Sequence, residues 1–134
     1  MLRDMAVPKT SLSVGAIIRA VLLENADVAS RTNKIFPVVT DSAELPYILY
    51  RRAGLESNPQ KSGQPGTDYV ELEILCFAKR YSESVELAEA VRAALDYVSA
   101  THDDMRMRSC YLIGGEESYQ ADAYVQQLVF SVKI

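Results

Sequence analysis

The residues able to do chemistry are few. His102 is the only histidine and is followed by Asp103 and Asp104. A His-Asp pair can bind metal in phosphohydrolases, but such a site draws on several further histidines, and none exist here. The trio therefore reads as a polar turn after a helix. Zinc takes sulfur and nitrogen ligands, which makes Cys76, Cys110 and His102 a conceivable set. The two cysteines are 34 positions apart, however, and the closely spaced pair typical of such sites is missing. Lys61-Ser62-Gly63-Gln64-Pro65-Gly66-Thr67 resembles a phosphate loop only superficially. That motif ends in Gly-Lys-Ser/Thr and opens a helix, whereas a strand is expected after Thr67. There is no Gly-x-Ser-x-Gly elbow. Glu71 and Glu73 project from one strand face and could do paired acid-base work, but an alternating Glu-x-Glu is more often the wet side of a strand. No catalytic, metal-binding or cofactor-binding residue is expected, and the chain reads as a non-enzyme.

The remaining charges read either as solvated charge at strand ends or as contacts. Arg51-Arg52 ends an expected strand, and Arg106 and Arg108 add a same-face pair on a later one. Together they form a modest basic strip, suited to an acidic partner surface. The whole chain carries 14 basic and 18 acidic residues, a net charge of -4. Phosphate binding needs clustered Lys and Arg, so general affinity for nucleic acid is not expected. Met1 to Thr10 is polar and lacks the apolar run of a secretion signal. Val14 to Leu23 is too short to cross a bilayer and is interrupted by Arg19. Without a secretion signal, Cys76 and Cys110 are expected as reduced, buried thiols.

These residues must be positioned by ordinary globular elements. A chain of 134 residues with 49% hydrophobic and 24% charged residues suits one domain, 1–134, with a single core. Val14, Ile17, Ile18, Val21 and Leu22 recur at helical spacing and predict a helix over Ser11–Glu24, capped by Ser11 or Ser13. Asn25 to Lys34 reads as a turn. Ile35-Phe36-Pro37 suits an edge segment, because Pro37 lacks a ladder donor. Firm strands are expected over Leu45–Arg52 and Tyr69–Lys79. Between them, Ala53 to Asp68 reads as a long loop, and long loops are often functional. A second helix is predicted over Ser82–Ala100, with a buried stripe of Leu87, Val91, Ala94, Leu95 and Val98. Arg106–Ile113 and Ala123–Val132 close the chain as strands, with Gly114-Gly115 beginning their connection. The expected fold is α+β, a four-stranded antiparallel sheet plus a short edge segment, with two helices on one face.

Alternation along the strands carries one further message. Val70, Leu72, Ile74, Cys76 and Ala78 share the expected core face. Yet Leu75 and Phe77 on the opposite face are also apolar, as are Val125 and Val129 in the last strand. One helix layer covers only one face. The other face either stays wet, with stray apolar residues, or packs on another subunit; exposed apolar patches tend to mark interfaces, which favours the second.

At this point the chain resembles the tail-completion or tail-terminator proteins of long-tailed phages and prophages. The resemblance runs from about Leu12 to Val132. Its marks are the amphipathic first helix, Ile35-Phe36-Pro37, Leu45-Pro46-Tyr47-Ile48-Leu49-Tyr50, a variable loop and Val70-Glu71-Leu72-Glu73-Ile74. The helix segment Leu87-Ala88-Glu89-Ala90-Val91-Arg92-Ala93-Ala94-Leu95 and the closing Val129-Phe130-Ser131-Val132 complete it. It implies a subunit of a ring, typically a hexamer, that caps the tail tube and joins it to the head connector. Tube and connector proteins would be the partners, and the virion tail its place, after assembly in the host cytoplasm. Ring closure would use a repeated head-to-tail contact. The expected contact residues are Glu71, Glu73, Leu75, Phe77, Val125 and Val129 on the sheet face, Arg51 and Arg52 at the strand end, and Lys61 and Gln64 in the loop. An acidic bore would let DNA pass without gripping it. Membrane contact and specific nucleic-acid binding are not implied. Two other readings compete: a small bacterial binding module using the sheet face and the 53–68 loop, and a metal-dependent hydrolase around His102 and Asp103.

Overall fold

A computed structural model describes residues 7, 9–40, 43–59 and 67–134. A 3-10 turn, Ser11–Ser13, leads into α1 (Val14–Glu24), α2 (Ala26–Arg31) and β1 (Ile35–Pro37). Next come β2 (Tyr47–Asn58), β3 (Thr67–Ala78) and α3 (Tyr81–Leu95). The chain ends in β4 (Ala100–His102), β5 (Met105–Met107), β6 (Ser109–Gln120) and β7 (Ala123–Lys133).

The stripe predicted for the first helix is buried: Val14, Ile17, Ile18 and Leu22 are at most 1% exposed. The cap differs from expectation. Ser13 makes no side-chain cap bond, and Thr10 accepts from the Leu12 amide instead. The expected turn at Asn25–Lys34 contains α2. Asn25 accepts from the Val28 amide at 3.0 Å, while Asp27 in the first turn and Arg31 in the last complement the helix dipole. A six-residue helix has too few periodic positions to stand out in a sequence.

The expected four-stranded antiparallel sheet with two helices is corrected. The main sheet has five strands in the order β1-β2-β3-β7-β6. It is mixed, because β1 runs parallel to β2 while the other pairs are antiparallel. A separate hairpin, β4-β5, occupies part of the segment expected as a single strand from Arg106, and three α-helices are present among the described residues. His102 and Asp103 lie at that hairpin's turn, where Asp103 adopts φ 54°.

Two strand boundaries also move. β2 and β3 extend through Asn58 and from Thr67, so much of the expected 53–68 loop is a paired hairpin arm. Gly114-Gly115 does not turn the chain. It lies inside β6, next to a bulge at Ile113, and the hairpin closes through Ala121 and Asp122, both with positive φ. Two consecutive left-handed residues form the tight turn that matches strand twist.

The helices cover one sheet face. Ile48, Leu72, Ile74, Cys76, Leu128 and Phe130 meet the helical stripes in one core. Cys76 and Cys110 are free and buried. No described helix is long and apolar enough to cross a membrane.

Candidate assembly surface

The strand alternation places Arg51, Glu71, Glu73, Leu75, Phe77, Val125 and Val129 on the face opposite the helices, with Arg51, Glu73 and Val129 in one cross-strand row. At one end of this face the apolar residues already have partners within the chain. Phe77 is 5% exposed and Val125 1% exposed. They join Leu49 and Ala123 in a second small core, packed by Phe36, Leu45, Tyr47 and Leu75. The Tyr47 and Phe77 rings stack with centroids 4.6 Å apart. The segment that connects β1 to β2 thus supplies a partial cover for the outer face, which strand alternation does not reveal. Leu75 and Val129 remain half-buried and Glu71 is exposed.

The middle of the face is polar and ordered. Arg51 Nε donates to Glu73 Oε1 at 2.6 Å, and Gln127 Nε2 donates to Glu73 Oε2 at 2.5 Å. Both carboxylate oxygens are therefore engaged, and the Glu73 side chain is only 12% exposed. The Glu71/Glu73 pair is not arranged for acid-base work: Glu73 is committed to an ion pair, and Glu71 lies beside Gly54. Arg52 points the other way, donating to the Leu12 carbonyl at 2.9 Å. Lys61 and Gln64 lie outside the described residues. Arg106 belongs to the β4-β5 hairpin, a different sheet from Arg51 and Arg52.

Three features had no sequence expectation. A groove of about 530 Å³ lies between the start of α1 and the point where the chain leaves β1; Leu12, Val38 and Tyr50 line it with Lys9, Arg51 and Arg52. Among the described residues, all its charged lining groups are basic. Leu12 and Val38 are 60% and 62% exposed. The second feature is the exposed run of β6 from Ile113 to Gln120, which contains Glu116 and Glu117. Reading Gly114-Gly115 as a turn hid the fact that these acids sit on a strand. The third is a polar anchor beneath that strand. Gln126 and Tyr81 both donate to Glu117 at 2.9 Å. These two bonds, Gln126 first, hold the Glu117 carboxyl below the usual range, so it is charged at neutral pH. The Tyr81 hydroxyl is pushed up by the same hydrogen bond and the adjacent charge.

Among the described residues, no group of three or more His, Cys, Asp or Glu could hold a metal ion. The described residues present a half-apolar sheet face beside a basic groove, features suited to contact with another protein.

Comparison with known proteins agrees. The family model described as tail completion protein gp17 matches residues 16–134. The chain belongs to that family of phage structural proteins, and its role is structural, in a phage tail. No curated protein matches it. A chain in the solved virion of a native gene transfer agent particle has a similar fold, with a TM-score of 0.78 at 15% identity. The alignment covers 93% of this chain and 98% of that one.

Proposed function

We propose that this chain assembles as a ring, a hexamer, that closes the finished tail tube and joins it to the head connector. The observation that carries this reading is the family match over residues 16–134. The similar chain in a gene transfer agent virion supports it, because the alignment spans nearly all of both chains. Nothing in the site needs a cofactor, and assembly alone is the mechanism. The outer sheet face is the surface turned to the tube or to a neighbour, through Leu75, Val129, Glu71 and the ordered Arg51–Glu73 pair. Phe77 and Val125 lie beneath that surface and set its shape. Lys61 and Gln64, which fall between β2 and β3 in sequence, contact the tube or the neighbouring subunit. The same surface gives no reason to expect specific DNA contacts, and DNA passes through the bore.

Deletion of the gene from a phage or prophage that carries it tests the reading. Electron microscopy of induced lysates should find filled heads separate from tails, with tails of irregular length. Joined particles of normal length and titre would overturn it.

A further inference from the structure

The five-stranded sheet has two edges, and they differ in kind. On one side β1 covers β2 only from Ile48 to Tyr50. From Arg51 to Asn58 no described strand pairs with the outer edge of β2. On the other side β6 is the last strand. Its start is capped, since Tyr97 donates to the Cys110 carbonyl at 2.6 Å and the Leu112 amide donates to Asp96 at 3.0 Å. Beyond the bulge at Ile113 no described strand pairs with its outer edge, and every residue to Gln120 is exposed. An uncovered edge of this length is a template for pairing.

The edges match in direction, charge and shape. β2 and β6 run antiparallel within the sheet, through β3 and β7. Rotation about an axis roughly along the strands preserves direction, so β6 of one copy meets β2 of the next as an antiparallel pair. The β2 edge begins with Arg51 and Arg52. β6 holds two acids, Glu116 and Glu117, and no basic residue. Faces must also agree, because residues directly opposite in a pair share a face. Arg52 aligns with Leu72 on the helix side, and Glu117 aligns with Gln126 on that same side. Arg51 and Glu116 both lie on the outer side. A register with Arg52 opposite Glu117 puts Arg51 diagonal to Glu116. It also leaves Tyr119, 62% exposed, at the mouth of the basic groove that Leu12, Val38 and Tyr50 line.

We propose that copies of this chain join edge to edge, β6 residues Gly114–Ser118 adding as a strand to β2 residues Arg51–Glu56 of the next copy, with Ala53 left as the bulge that keeps Gly54 and Glu116 on the same outer face. The proposal rests on the ring reading and names its contact. The two edges are different surfaces, so the contact is heterologous and closes only by completing a ring.

Paired cysteines test it in the full chain. Gly54→Cys and Glu116→Cys, opposite each other on the outer face in this register, cannot bridge internally in one molecule. They sit on strands three spacings apart, roughly 14 Å, beyond the ~7 Å reach of a disulfide. Mild oxidation should give a ladder of linked chains ending in a closed species, with each single variant giving at most dimers. Independently, Arg52→Glu should weaken association at least tenfold by native mass spectrometry, and adding Glu117→Arg should restore most of it. A ring that forms with neither the ladder nor the charge rescue would overturn edge pairing and leave the ring reading standing. A chain that stays monomeric at its highest soluble concentration and on purified tail tubes would overturn both.

Discussion

Phe130 and Val129 are neighbours in β7 and point to opposite faces of the sheet. Phe130 is fully buried, opposite Leu72 in β3 and Leu112 in β6, beneath the helices. Val129 is half-buried opposite Glu73 and Gly114 on the outer face. Truncating Phe130 to Ala removes a whole ring from a dense core and leaves a cavity, a cost of about 3–5 kcal/mol. Truncating Val129 removes two carbon groups that are already partly wet. At ~0.8 kcal/mol for each fully buried group, that loss stays under about 1 kcal/mol. Both changes lower strand propensity within one element, so the contrast isolates burial. A domain of this size shifts its melting midpoint by roughly 3–6 °C per kcal/mol. Phe130→Ala should therefore lose about 10 °C or more, and Val129→Ala only a few degrees. Thermal and urea unfolding followed by circular dichroism measure both. Equal losses, or a larger loss at Val129, would refute the assignment of the helix-covered face as the principal core.

Two further outcomes follow from the same packing. A Cβ on Gly115 would sit on the backbone carbonyl of Gln127 in the neighbouring strand, whereas one on Gly114 meets nothing within 4 Å. Backbone cannot yield as a side-chain tip does, so Gly115→Ala should cost roughly 1–3 kcal/mol and Gly114→Ala close to nothing in the same unfolding assay; matching costs would mean the bulge at Ile113 is misplaced. The two thiols should resist a thiol reagent in the native protein and react fully in denaturant. Burial pushes Cys76 up, and burial followed by the Asp96 charge pushes Cys110 up to about 12. A thiol raised in the folded state holds its proton there, so its stability contribution is complete below the ordinary value of 9.0 and drains away as pH rises toward 12. Cys110→Ala should flatten that alkaline decline; an unchanged slope would place the loss elsewhere.

Periodicity alone located the two long helices and the buried faces of the central strands. Val14, Ile17, Ile18 and Leu22 return every three or four residues, and Val70, Leu72, Ile74 and Cys76 every second residue. Those repeats are the geometry of helix and strand themselves, so they survive without any tertiary information. The scarcity of histidine and the absence of catalytic spacing were equally plain, as was the resemblance to tail-completion proteins. The tertiary structure decided which strands are neighbours. Alternation states which side a residue faces but not what lies across from it. Pro37 marked β1 as an edge segment, but its parallel direction, the β4-β5 hairpin and the cover over Phe77 and Val125 have no local signal. Gly114-Gly115 carried a misleading one, because glycine serves a bulge beside a close backbone as well as it serves a turn. The tight turn fell instead on Ala121 and Asp122, where pairing along the whole of β6 and β7 imposes a left-handed backbone that neither residue would choose alone.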